Sequence, residues 1–165
     1  MPSKKEVLYE MKITWIMLSL LIPTVLLSGA NAATPTTVAG SFTTTAINTG
    51  ARAVDGNLIV TQTLTITTAG DLAGTLLGSD TVVLLSSGNG TFFGTGTFTG
   101  TVLGRTGSST VSFTGTFTGF PTLPVLQGHT VFYNGTGGLS NFEAQGTIQG
   151  ILNVGGTYSI TVLFT

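Results

Sequence analysis

The stretches that decide the fold of this 165-residue chain are Thr91–Leu103 (TFFGTGTFTGTVL) and Val111–Gly119 (VSFTGTFTG). In both, phenylalanine or glycine alternates with threonine or serine over most of the length. A period of two is typical of a β-strand with one buried face and one face in water. Threonine suits the exposed face because its branched carbon favours an extended backbone while its hydroxyl contacts water. The two stretches therefore predict neighbouring strands with a phenylalanine-bearing inner face.

The same alternation continues along the rest of the chain. Turn sequences such as Asp55-Gly56 and Asn89-Gly90 separate the alternating segments. Eight consecutive antiparallel strands with one apolar face predict an all-β, eight-stranded antiparallel barrel, because closure removes exposed sheet edges. The predicted strands are Gly40–Ile47, Leu58–Thr67, a third between Asp71 and Asn89, Thr91–Leu103, Val111–Gly119, Gln127–Tyr133, Phe142–Ile151 and Thr157–Phe164.

The fourth and fifth predicted strands are expected to form a hairpin about Arg105-Thr106. This pairing would place Phe98 opposite Phe113 and Gly96 opposite Gly115. Large and small side chains would then alternate on the inner face, which is how a narrow barrel interior fills without voids.

The first 32 residues are expected to be a signal peptide. Three lysines precede Ile13–Leu27, a mostly apolar run without charge that is shorter than the ~20 residues of a membrane-spanning helix. A small-x-small sequence ends at Ala32 and predicts cleavage between Ala32 and Ala33. We therefore expect a secreted or extracytoplasmic protein with one domain at 33–165, and retention of the segment as an anchor is the alternative.

Composition excludes several classes of function. The chain has no cysteine, which excludes disulfides, zinc–thiolate sites and thiol enzymes. It has only 5 basic residues, too few to follow a phosphate backbone, so we expect no nucleic-acid partner. Cleavage would leave two basic and four acidic residues in a threonine-rich chain. No calcium-loop spacing is present, and we expect neither a metal nor a cofactor.

One polar residue is predicted to lie inside the barrel. Gln62 shares the face of Leu58, Val60, Leu64 and Ile66, and a buried amide needs hydrogen-bond partners. It is the candidate polar anchor of a ligand, with an ordinary backbone or water partner as the alternative. The expected apolar lining of the site comes from Phe92, Phe98, Phe113 and Phe117.

The chain offers little for catalysis. His129 is the single histidine and has no carboxylate beside it in sequence to orient it as a base. Glu143 alternates with polar residues and is predicted to lie on the outer face. We therefore assign no catalytic residue and expect the inner face to be apolar apart from Gln62.

Two ordered motifs resemble a family of small bacterial and archaeal proteins of unknown function. Phe98–Ser108 (FTGTVLGRTGS), followed by Gly115-Thr116-Phe117, is similar to that family's F-x-G-T-L-G-G-R-S-G-S and G-T-F. Gly135–Leu139 with Gly146-Thr147 is similar to its G-T-G-x-L and G-x-G-T. The family is related to the allene oxide cyclase-like barrels, which resemble dirigent proteins, so the resemblance implies an eight-stranded barrel and no established activity.

The chain departs from that family at two inward positions. Gly96 and Phe113 stand where the family often has a glutamate and a histidine. The leading expectation is therefore a non-catalytic binder of a small hydrophobic molecule. A cyclase or isomerase that shapes a reactive guest is one alternative, and a structural or surface-binding protein that uses its threonine rows is another. The phenylalanine-bearing inner face argues against a membrane-spanning mature form, and the sequence is compatible with a homo-oligomer.

Overall fold

The structure is a computed structural model that describes residues 33–165, so the predicted signal segment lies outside the described residues. Its regular elements are all strands. None of the described residues forms a helix long and apolar enough to cross a membrane. The strands are β1 (Thr36–Val54), β2 (Asn57–Gly70), β3 (Leu72–Leu84), β4 (Gly90–Val102), β5 (Arg105–Thr118), β6 (Val125–Gly137), β7 (Phe142–Ile151) and β8 (Gly155–Phe164).

Each strand pairs antiparallel with the next in the chain, and β8 pairs with β1 to close a barrel. The predicted all-β fold of eight antiparallel strands in a closed ring is confirmed. If the register is followed strand by strand from Asn48 on β1, it returns to β1 at Val38, ten residues earlier. This stagger requires the strands to tilt relative to the barrel axis.

The stagger also explains why β1 is longer than the predicted Gly40–Ile47. β1 pairs with β8 only over Thr36–Thr43, and one further hydrogen bond joins the Thr44 N–H to the Val154 carbonyl at 2.8 Å. Among the described residues, the remaining part of β1, Thr45–Val54, pairs only with β2.

The β4–β5 hairpin turns two residues earlier than expected. Its two turn residues are Leu103 and Gly104, both with positive φ (49° and 80°), as a two-residue type I′ turn requires. The predicted turn at Arg105-Thr106 is therefore wrong, and Phe98 lies opposite Ser109 rather than Phe113. The register moves by an even number of residues, so every side chain keeps its predicted face.

In the observed register, three phenylalanines of the hairpin, Phe92, Phe113 and Phe117, lie opposite a glycine. Phe92 faces Gly115 and Gly94 faces Phe113, whereas the predicted pairing of Gly96 with Gly115 does not occur. The glycines leave room for the rings: a Cβ on Gly115 would lie 2.5 Å from Phe92 Cζ, and one on Gly94 would lie 2.6 Å from Phe113 Cζ. The expected alternation of large and small residues is present, with different partners.

An aromatic chain packs the barrel beside the β4–β5 and β6–β7 turns. Neighbouring ring centroids lie 5.3 to 5.9 Å apart, and two of the three contacts are edge-on. Arg105 is exposed at the end of this chain, with its guanidinium 4.1 Å from the centroid of the Phe164 ring. The members, in order of contact, are Phe98, Phe132, Phe142 and Phe164.

Tyr158 joins β8 to the β2–β3 turn. Its hydroxyl lies 3.0 Å from the carbonyl oxygens of Ala69 and Leu72 and accepts a hydrogen bond from the Leu72 N–H, also at 3.0 Å. The Tyr158 phenol can approach the β2–β3 turn across β1 because Gly40, on β1, has no side chain. A Cβ at Gly40 would collide with the phenol. One buried hydroxyl therefore connects strands that are not neighbours in the sheet.

Candidate functional site

The barrel interior contains a cavity of about 80 Å³, to which all eight strands contribute side chains. Leucine, isoleucine, valine and phenylalanine form most of its wall, which also includes Thr44, Thr68, Thr130, Asn153 and Tyr158. The apolar members are Phe42, Leu64, Ile66, Leu72, Leu76, Phe92, Val111, Phe113, Leu126, Phe132, Ile148, Leu152 and Ile160.

All five residues predicted to form the site are buried, but they do not converge on one place. Phe92 and Phe113 line the cavity, with ring centroids 6.5 Å apart. Phe98 and Phe117 are fully buried in the core and do not line the cavity. Gln62 is 5% exposed and lies on the inner face, but it does not line the cavity.

Three polar residues form a row on the inner face, one on each of three adjacent strands. Asn48, Gln62 and Asp80 are directly opposite one another in the registers of β1, β2 and β3. Gln62 Nε2 donates a hydrogen bond to Asn48 Oδ1 at 2.8 Å. Gln62 Oε1 and Asp80 Oδ1 are buried and have no hydrogen-bond partner. The row, which we call the polar row, therefore leaves two acceptor atoms unsatisfied.

Asp80 corrects the expectation that the inner face is apolar apart from Gln62. It is 7% exposed, lies in the middle of β3 and lines the cavity. The sequence analysis assigned no inward position to Asp80. The alternation of Leu72, Leu76 and Val82 was the available signal, because Asp80 shares their even-numbered, inward face.

Burial decides the electrostatics of the site. Removal of water raises the pKa of Asp80 from 3.8 to about 6, since the charged form loses hydration without a compensating hydrogen bond. The described residues contain no ion pair to Asp80, and both arginines among them, Arg52 and Arg105, are exposed. Burial also raises the pKa of Tyr158, so its phenol stays neutral at ordinary pH.

The two residues weighed for acid–base chemistry lie outside the barrel. His129 and Glu143 are exposed on the outer faces of β6 and β7, and they are not register partners: His129 lies opposite Thr147 and Glu143 opposite Leu163. The predicted outer position of Glu143 is confirmed. No group of three potential metal ligands occurs in residues 33–165.

Threonine and serine hydroxyls form rows on the outer face. Thr67, Thr75, Thr99 and Ser108 are successive register partners across β2 to β5, with Thr99 Oγ1 3.1 Å from Ser108 Oγ. A broad open groove of about 710 Å³ crosses β1 to β6, and its wall includes the exposed Phe93 together with Gln62 and Asp80 of the polar row. The outer face is thus hydroxyl-rich with isolated apolar residues, on a surface that the sheet twist curves.

Comparison with known proteins identifies the fold. No protein-family model matches the chain, and no curated protein matches its sequence. Its structure is similar to the crystal structure of a protein with unknown function from the DUF3224 family of Shewanella oneidensis MR-1. The TM-score is 0.67 at 20% sequence identity, over 80% of this chain and 98% of the other. At this identity the similarity shows a shared fold.

Proposed function

We propose that this protein is a non-catalytic binder of a small, mostly apolar molecule held inside the barrel. The observation that carries the proposal is the interior cavity, whose wall is apolar apart from a few polar side chains. A close-packed core leaves few voids larger than a water molecule, so a cavity of this size inside the barrel supports a site for a very small ligand.

The size of the cavity limits the guest. At about 80 Å³ it has roughly half the volume of an engineered cavity that accepts benzene, which favours a guest of about three or four non-hydrogen atoms. The best small ligands gain about 1.5 kcal/mol per such atom, which corresponds to a Kd of roughly 40 µM for four atoms. We therefore propose reversible binding at micromolar to millimolar ligand concentrations rather than tight capture.

The binding test compares two neighbouring leucines. Leu76 lines the cavity, whereas Leu77 is 60% exposed on the outer face. Titration of the protein with isobutane or cyclopropane should shift the methyl NMR signals of Leu64 and Leu76 and leave those of Leu77 unchanged. Ile148→Phe, which fills the cavity, should abolish the shifts. Equal shifts at Leu76 and Leu77, or shifts that persist in Ile148→Phe, would contradict binding inside the barrel.

We also propose that the protein is exported and that its barrel is of the allene oxide cyclase-like type. The signal-like segment at 1–32 supports export, and the motifs at Phe98–Ser108 and Gly135–Leu139 support the type of barrel. Protein isolated from its own host should have Ala33 at its N-terminus when sequenced. An N-terminus at Met1 or Pro2 would instead favour a retained anchor.

Asp80 supports a second candidate, a cyclase or isomerase that shapes a guest and moves a proton. A buried carboxyl whose pKa is raised to about 6 is suited to act as a general base near neutral pH. The test is the exchange of the α-protons of acetone with deuterium from the solvent. Exchange that depends on the protein and disappears in Asp80→Asn favours the enzyme. Exchange at the rate of buffer alone favours the binder.

A further inference from the structure

The polar row makes the interior selective for one kind of polar group. Gln62 Oε1 and Asp80 Oδ1 are both acceptors, both buried, and both without a partner. The Gln62 amide nitrogen already donates to Asn48 Oδ1 at 2.8 Å. A guest that brings another acceptor would leave both oxygen atoms unpaired, whereas a guest that brings donors would satisfy them.

The other polar groups around the cavity have partners in the protein or access to water: Thr44 is half-buried and Asn153 is exposed. The Thr130 hydroxyl donates to the Ser112 carbonyl at 3.3 Å, and the Thr68 hydroxyl donates to the Gly74 carbonyl at 3.3 Å. The Tyr158 hydroxyl is committed to the β2–β3 turn. The buried atoms that still lack a hydrogen-bond donor are therefore Gln62 Oε1 and Asp80 Oδ1.

Asp80 packs beside an aromatic ring at the cavity wall. Its partner on β4 is Gly94, and a Cβ there would lie 2.7 Å from Asp80 Cβ and 2.6 Å from Phe113 Cζ. The absence of a side chain at Gly94 thus brings the carboxyl and an aromatic ring together at the cavity wall.

We infer that the guest is a small aliphatic amine, whose ammonium group donates to Asp80 Oδ1 and Gln62 Oε1 while its alkyl group fills the apolar cavity. This inference rests on the proposed function and specifies its ligand class. An ammonium has three donors and a positive charge, so it satisfies both acceptors and neutralises the carboxylate. An alcohol has a single donor and leaves one acceptor unpaired.

The experiment uses four probes of equal size at pH 7.5, each titrated into the full-length protein and followed by the Leu64 and Leu76 methyl signals. The probes are isopropylamine, 2-propanol, acetone and isobutane. Isopropylamine should bind at least tenfold more tightly than acetone. Asp80→Asn should weaken isopropylamine binding at least tenfold and leave isobutane binding within twofold of the parent. Glu143→Gln, which removes an exposed carboxylate from the outer face, should leave all four affinities unchanged.

Two results separate this inference from the proposed function. If isobutane binds and isopropylamine shows no preference, or keeps its affinity in Asp80→Asn, the amine inference fails while the binding function stands. If no probe shifts the inner methyl signals, the proposed function fails. The carboxyl ¹³C signal of Asp80 gives an independent reading: a protonated carboxyl at pH 7.5 that persists with isopropylamine present would mean that Asp80 itself donates to Gln62, which overturns the inference.

Discussion

A carboxyl group inside an apolar barrel lowers stability when it is ionised, and Asp80 is such a group. Its charged form has lost water, and its Oδ1 atom has gained no hydrogen bond in return. The neutral form costs less to bury. The pKa of Asp80 therefore rises from 3.8 in the unfolded chain to about 6 in the folded protein.

This shift predicts an unusual dependence of stability on pH. Because the folded state binds the proton more tightly, the free energy of unfolding should rise as pH falls through about 6 and level off below 3.8. Between pH 7.5 and 4.5 the gain should be about 2 kcal/mol. Urea unfolding of the parent and of Asp80→Asn at both pH values measures it. The difference in free energy of unfolding between the parent and Asp80→Asn should change by about 2 kcal/mol between the two pH values. A difference that does not depend on pH would show that the pKa of Asp80 is not raised in the folded protein.

At the scale of elements, glycines on the inner face set how closely the strands and rings approach. Gly96 on β4 is an example: a Cβ there would lie 2.6 Å from the Leu77 carbonyl oxygen and 2.7 Å from Leu76 Cδ2. The backbone carbonyl belongs to the neighbouring strand and cannot rotate away. A larger residue at this position must therefore displace β3 or repack Leu76.

Gly96→Leu should lower the free energy of unfolding by roughly 1–3 kcal/mol through overpacking. Thr97→Leu is the matched control, since Thr97 is the next residue on the same strand and faces solvent. Urea unfolding should show a change within about 0.5 kcal/mol for the control. Equal stability of the two variants would place Gly96 on the outer face and overturn the assignment of the interior.

The hydroxyl of Tyr158 predicts a second effect at this scale. Tyr158→Phe removes the acceptor of the buried Leu72 N–H and the donor to the β2–β3 turn, which should cost about 1–3 kcal/mol of stability. Tyr133→Phe is the control, because Tyr133 is 37% exposed on β6. Urea unfolding that is unchanged by Tyr158→Phe would mean that this hydroxyl does not hold the turn.

At the scale of the whole barrel, the sequence predicts whether a side chain points inward or outward. It does not predict whether an inward side chain packs the core or lines the cavity. Strand parity survives an even error in register, so Phe92 and Phe113 kept their faces although the hairpin turn was misplaced. Which inner residues pack the core and which line the cavity depends on the stagger of all eight strands. Phe98 and Phe117, identical to Phe92 and Phe113 in local pattern, therefore fell in the packed part.

The polar row was half predictable for the same reason. Gln62 stands within a clear alternation of apolar residues, whereas Asp80 follows Gly78-Ser79, a sequence that also suits a turn. That the two residues are register partners depends on the pairing of β2 with β3, which local pattern alone does not determine. The meeting of Gln62 and Asp80 thus depends on how the strands pair, whereas the apolar character of the interior follows from the alternation in the sequence.

A crystal structure of the protein under xenon pressure shows directly whether the interior is a binding cavity for a small apolar guest. Xenon enters dry apolar cavities and scatters strongly. The proposed binding cavity predicts one ordered xenon atom inside the barrel, in contact with Leu64, Leu76 and Phe92. Xenon confined to the outer groove, or an interior filled by ordered water hydrogen-bonded to the polar row, would contradict it.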